Sequence, residues 1–315
     1  MAEGAARLVD EVMPQVPVRQ WVLTLPFPLR YRLAWDSETL SAVLEVFQRK
    51  VSACYRRLAR ARQLKAPQTG AYTVVQRFAS SLAHNIHFHS LVLDGVFVPG
   101  AEGAAPVFHP LAVREEDVLS VVRATELGVL KLLERRGLID PEECAPSEED
   151  EFAEQQPLLA GLYQASVGGR IALGERRGLP VRRIGGLPSW QQAARRQPRR
   201  KKPMCATAGG FDLHAKTRVA ARHRGELERL ARYLLRPAIA AQRLRLLADG
   251  RVVYDLKAPR ADGTTGFLFE PLEFLEKLAA LVPPPGKNRR QEPEVDDRAQ
   301  RASPGGPGPG RTRST

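Results

Sequence analysis

Hydrophobic and polar positions change period several times along this chain, and the changes mark its elements. Leu8, Val9, Val12 and Met13, in an alanine-rich stretch, predict a short amphipathic helix over residues 2–13, ended before Pro14. Residues 19–25 predict a strand, stopped by Pro26 and Pro28. Leu40, Val43, Leu44, Phe47, Val51, Cys54, Tyr55 and Leu58 follow helical spacing from about residue 37 to 64, with Asp36 or Ser37 as N-cap. After the turn at Gln68, Thr69 and Gly70, residues 71–78 predict a strand, and a longer one follows over residues 86–98, interrupted at Asp94 and Gly95. The two suit a hairpin or near neighbours in an antiparallel sheet. A second long amphipathic helix is expected over 114–138, on Val118, Val121, Val122, Leu127, Val129, Leu130, Leu132 and Leu133. Residues 158–173 return to apolar, small-residue character, and 211–215 read as a strand. From Glu226 to Arg236, Leu227, Leu230, Ala231 and Leu234 fall at i, i+3, i+4 and i+7 of a helix closed by Pro237. Helices and strands mix without an internal repeat, so the fold class is α+β, an antiparallel sheet flanked by helices.

This patterning places the candidate chemistry. Side chains alternate faces along a strand at about 3.3 Å per residue, so His87 and His89 share a face with Cα atoms roughly 6.6 Å apart. Phe88 points the other way. Two imidazoles so spaced can converge on one divalent metal, although a solvated sheet face accommodates them equally. Gln76 is the candidate third ligand if it lies across from the histidines. His84 competes, but an odd–even change puts it on the face opposite His87. Tyr233 lies off the buried stripe of its helix, on a flank shared with Glu226, Arg229 and Arg236, which suits a nucleophile better than a core residue. Its rival is Tyr254, in a Tyr-x-x-Lys pattern with Lys257. Residues 251–257 read as a strand after the turn at Asp249 and Gly250, where positions three apart face opposite sides. His214 could assist the metal or DNA, or be structural.

Charge narrows the partners. The 315 residues carry a net charge of +13, the electrostatic footprint of a binder of phosphate backbones. Six of the eight residues from Arg195 to Lys202 are basic (Arg195, Arg196, Arg199, Arg200, Lys201, Lys202), a candidate DNA-backbone contact or a solvated loop. Arg49, Lys50, Arg56, Arg57, Arg60 and Arg62 make a basic outer face on the first long helix, with the same two readings. The stretch at about 140–156 is an acidic insert, expected to be exposed. Hydrophobic content is 43%, with no apolar run of membrane-spanning length and no signal-peptide pattern at the start. Cys54, Cys144 and Cys205 are widely spaced and form no CxxC pair, which fits a reducing cytoplasm and argues against a zinc ribbon or disulfide framework. Residues 283–315, rich in Pro, Gly, Arg and Ser, have the composition of a disordered tail behind a domain at 1–282.

His87-Phe88-His89 resembles the His-hydrophobe-His (HUH) signature of rolling-circle nucleases. The stretches 18–26, 75–78, 85–95, 230–237 and 262–272 together resemble one branch of that superfamily, the rolling-circle insertion-sequence transposases of two-tyrosine type, over roughly residues 1–285. The resemblance implies an HUH-type sheet, with Mg²⁺ or Mn²⁺ held by His87, His89 and Gln76. Tyr233, with Arg236 beside it, is then the nucleophile that cleaves and rejoins single-stranded DNA at element ends through a 5′-phosphotyrosine. No nucleotide cofactor is needed, because the covalent intermediate conserves the bond energy. Arg229 stands where two-tyrosine members carry their second tyrosine, so this reads as a one-tyrosine variant. The family's leading zinc-binding segment and its continuation after about residue 283 are both missing, so the chain reads as a fragment, truncated at the front and frame-shifted or divergent at the end. The rival readings are an inactive DNA-binding remnant, a plasmid-type replication relaxase, and a hydrolytic metalloenzyme unrelated to nucleic acid.

Overall fold

The computed structural model describes residues 2–79, 81–101, 104–139, 150–186 and 202–282. Helix α1 (Ala2–Arg7) continues as a π-helical turn, Leu8–Val12, so the segment expected as one helix changes its winding halfway. Strand β1 (Val18–Thr24) follows, then α2 (Phe27–Trp35) and α3 (Ser37–Arg60). Helix α2 was not anticipated: Pro28 sits in its first turn, where a missing N–H costs nothing, so the proline that ends the strand also opens a helix. Asp36 caps α3 by accepting from the Thr39 backbone N–H at 2.9 Å and its hydroxyl at 2.7 Å. The helix stops at Arg60, four residues short of expectation.

Strand β2 (Ala71–Phe78) runs antiparallel to β3 (His84–Leu93), and β4 (Gly95–Val98) pairs with β5 (Val107–Pro110). The long strand expected from residue 86 therefore begins at His84 and is cut at Asp94. Helix α4 (Glu115–Arg135) comes next, then α5 (Glu151–Gln155) and α6 (Pro157–Val167). Of the acidic stretch, 140–149 lie outside the described residues and the rest is largely α5. Strands β6 (Arg182–Gly185), β7 (Cys205–Ala208), β8 (Phe211–His214) and β9 (Arg218–Val219) precede α7 (Arg224–Leu234). The chain then forms β10 (Leu244–Leu246), β11 (Val252–Asp255), β12 (Thr264–Phe269) and α8 (Pro271–Leu281). The tail at 283–315 lies outside the described residues.

The central sheet is antiparallel, in the order β2-β3-β1-β8-β7, with β9 pairing to the other end of β1. Ile86, Phe88, Val92, Trp21, Leu23 and Leu213 face α3 and α4, where Val43, Phe47, Tyr55 and Val122 complete the main core. Val18, Leu91, Leu93 and Val219 face the other way, under Leu8, Val9, Leu227, Ala231 and Leu234. Covering on both faces explains why β1 and β3 are almost wholly buried. A second antiparallel sheet, β10-β11-β12-β6, has its own core of Leu82, Tyr254, Phe267 and Phe269. Only β11 of this sheet was predicted. No helix among the described residues is long and apolar enough to cross a membrane.

Candidate active site

Strand alternation and register build this site. His87 and His89 project from β3 on the side covered by α7, with ring centroids 4.9 Å apart. In the pairing of β2 with β3, Gln76 lies directly opposite His87; on the other side of β3, Thr24 of β1 opposes His87 and Val22 opposes His89. Gln76 therefore shares the histidines' face. It is buried, and its Nε2 donates to the Leu234 carbonyl of α7 at 3.1 Å, which orients Oε1 away from that contact. Oε1 is itself buried without a hydrogen-bond partner.

The ring nitrogens can be assigned by what they meet. His87 Nδ1 lies 2.6 Å from the Asn85 carbonyl, which only accepts, so Nδ1 carries the proton and Nε2 keeps its lone pair. His89 Nδ1 lies 3.0 Å from the Gln20 side-chain amide, and His89 Nε2 is buried without a partner. If Gln20 Nε2 donates, the His89 proton sits on Nε2. Turned by half a rotation, the same amide presents Oε1, Nδ1–H donates to it, and Nε2 is free to ligate. Burial pushes His89 down to about 3, with the neighbouring His87 and Arg236 adding to the effect. His87 is lowered too, by burial above all and against the pull of the Asn85 carbonyl. Both imidazoles are neutral at pH 7, the form that binds metal.

These donors fit a hard or borderline divalent cation: two imidazole nitrogens and one amide oxygen, of which His89 Nε2 and Gln76 Oε1 have no hydrogen-bond partner among the described residues. Among the described residues, no three His, Cys, Asp or Glu side chains converge for a metal, so a third protein donor beside the two histidines would have to be of another kind, such as the Gln76 amide oxygen. His84 does not join them. It is buried on the other face, edge-on to Tyr163 with centroids 5.3 Å apart, and burial pushes it to about 3.

Helix α7 closes the site from above. Leu227, Ala231 and Leu234 are its buried stripe, and Tyr233 projects beside them, 46% exposed, with its ring 6.1 Å from that of His89. The Arg236 guanidinium stacks 4.3 Å from the Tyr233 ring centroid, and its Nε is buried without a partner among the described residues. The other tyrosine is elsewhere: Tyr254 is buried in the second sheet between Leu244 and Phe267. Lys202 is exposed before β7, whereas Arg195, Arg196, Arg199, Arg200 and Lys201 lie outside the described residues. Gln20 was missed as a site residue. Its parity with Val22 and Thr24 was readable, but that strand had no known partner until the register was in hand.

The model of the family described as "Putative transposase" matches residues 70–291. The chain belongs to this transposase family. The matched region holds Gln76, His87, His89, Tyr233 and Arg236, while Gln20 precedes it. Comparisons with curated proteins and with solved structures each return no match.

Proposed function

We propose that this transposase cleaves and rejoins single-stranded DNA by tyrosine transesterification, as in rolling-circle transposition, with Mg²⁺ or Mn²⁺ held by His87, His89 and Gln76. The supporting observation is that two buried donor atoms without a partner among the described residues (His89 Nε2 and Gln76 Oε1) share a sheet face beneath an exposed tyrosine stacked on an arginine. The cation would polarise the scissile phosphate and offset the charge developing on it. Tyr233 Oη gives up its proton and attacks phosphorus, the P–O3′ bond breaks, and the departing 3′ oxygen takes up a proton, so in net the phenol's proton ends on the 3′-hydroxyl. A 5′-phosphotyrosine and a free 3′-hydroxyl result. That hydroxyl, or one from another strand, reverses the step, so joining needs no nucleotide cofactor. Arg236 offers a fixed positive charge beside the transferred phosphoryl group. The surplus of basic residues, Lys202 and the preceding Arg195, Arg196, Arg199, Arg200 and Lys201 included, supplies salt-sensitive affinity for the DNA backbone.

The test is an adduct assay. Labelled single-stranded oligonucleotides from element ends, with Mg²⁺ or Mn²⁺, should give a denaturation-resistant shifted band that is lost in Tyr233→Phe and His87→Ala. A band that survives Tyr233→Phe and disappears in Tyr254→Phe overturns the nucleophile assignment. Salt-sensitive binding without any band favours the DNA-binding remnant.

A further inference from the structure

The floor of the candidate site does not end at β1. Following the register outward, His89 pairs with Val22, Val22 with His214, and His214 with Cys205. In the adjacent row, Gln76, His87, Thr24, Asp212 and Thr207 oppose one another in turn. Directly opposed residues project from the same side of a sheet. Cys205, Thr207, Asp212 and His214 therefore share the face of the histidine pair, while Ala206 and Leu213 between them join the core on the other side.

This outer floor is open, and its imidazole has a side-chain neighbour at each nitrogen. His214 Nδ1 is hydrogen-bonded to Cys205 Sγ at 2.8 Å, and its Nε2 lies 3.3 Å from Asp212 Oδ2, within ion-pair distance. The side chains of His214 and Asp212 are 39% and 37% exposed, and Thr207 is exposed. Cys205 is not a poised nucleophile, since burial first and Asp212 second hold its thiol above the ordinary value. Exposed Lys202 and Lys216 flank the cluster. A strand of DNA crossing here would meet lysines suited to its phosphates, but the Asp212 carboxylate repels phosphate and accepts hydrogen bonds from base amino groups, whereas thymine's one donor, N3–H, lies between two carbonyl oxygens that a carboxylate repels. A planar ring held at Nδ1 by Cys205 and facing the Asp212 carboxylate at Nε2 is a preorganised platform for a base.

We propose that Asp212, His214 and Thr207 form a base-recognition subsite for single-stranded DNA, selecting a base with an exocyclic amino group (cytosine, adenine or guanine) over thymine. The subsite rests on the strand-cleavage reading above for its substrate. Two strand spacings of about 4.8 Å separate His214 from His89, at most about three nucleotides even at the 3.4 Å rise of a fully stacked strand and fewer in an extended one, so the selected base lies within about three nucleotides of the scissile phosphate. Cys205 acts as a positioning residue through His214.

Binding is the readout, so that chemistry is tested separately. A random-sequence single-stranded DNA pool is equilibrated with full-length Tyr233→Phe protein, and the bound fraction is sequenced. One position should exclude thymine by at least about fivefold. Adding Asp212→Asn, whose amide can donate to thymine O4, should admit thymine at that position alone. Asp212→Glu, which keeps the carboxylate, should retain the exclusion, and His214→Ala should flatten the preference. A motif unchanged by Asp212→Asn and His214→Ala, or no motif at all, overturns the subsite. An adduct assay on the selected sequence with Tyr233 intact then separates the two ideas. A subsite that responds to Asp212 without any adduct leaves recognition standing and the nuclease reading fallen, and the converse result does the opposite.

Discussion

Asp94 is a buried carboxylate on which four donors converge, and replacing it by asparagine should be the most costly isosteric change in the central sheet. Its Oδ1 accepts from Arg19 Nε at 2.8 Å and from the Tyr55 hydroxyl at 3.0 Å. Its Oδ2 accepts from Arg19 Nη2 at 3.1 Å and from Arg218 Nε at 2.6 Å. One carboxylate thus ties β1, α3 and β9 to the junction of β3 and β4. Asparagine keeps one acceptor, turns an NH₂ toward the donors, and leaves the buried Arg19 charge without its counter-ion. Breaking one side of a buried pair costs about 3–5 kcal/mol. Arg218, with 45% of its side chain exposed, can rehydrate and adds little beyond that. Urea unfolding of Asp94→Asn, followed by circular dichroism, should show a lower midpoint with an unchanged slope. In a double-mutant cycle, Arg19→Met should cost much less in the Asp94→Asn background than in the wild type. A loss under about 1 kcal/mol, or strictly additive effects, would refute the view that this carboxylate holds the sheet together.

Acid should destabilise the protein in a defined window. His84 and His89 have folded values near 3, below the reference of about 6.5, so their contribution is complete above pH 6.5 and is lost as pH falls toward 3. At pH 5 the loss is about 2 kcal/mol per histidine, and His84→Phe should reduce the difference in urea midpoint between pH 7 and pH 5. If Gln20 fixes the His89 tautomer, Gln20→Leu should weaken Mn²⁺ binding by about 10–100-fold in calorimetry, while Gln20→Glu, an acceptor only, should retain it. Equal affinity in all three proteins would rule that role out. Tyr254→Phe should leave adduct yield unchanged, and Tyr254→Ala should cost about 3–5 kcal/mol of stability as a buried aromatic truncation, read from thermal unfolding.

Local pattern carried much of this molecule. Helices α3, α4 and α7 and strands β1, β2 and β8 lie close to where apolar periodicity put them, because each buries one face or stripe whose spacing is written in neighbouring residues. Alternation alone put His87 and His89 on one face with His84 on the other, and the α7 stripe left Tyr233 outside the core. What pattern could not carry was partnership between distant segments. Gln76 meets His87 only because β2 and β3 pair in one register, with an irregularity beyond Gln76, and a one-residue slip would turn it to the opposite face. Gln20, Asp212 and His214 join the same floor through β1 and β8, which are separated by almost the whole domain in sequence. Asp94 reads locally as a break in a strand, yet its hydrogen-bond partners come from β1, α3 and β9. The second sheet escaped notice for the same reason: only β11 showed as a strand, and its sheet is completed by β6, which pairs with β12 across some eighty residues. Periodicity records which side of an element is buried. Which elements meet, and therefore which side chains can share one site, is decided by the packing of the whole chain.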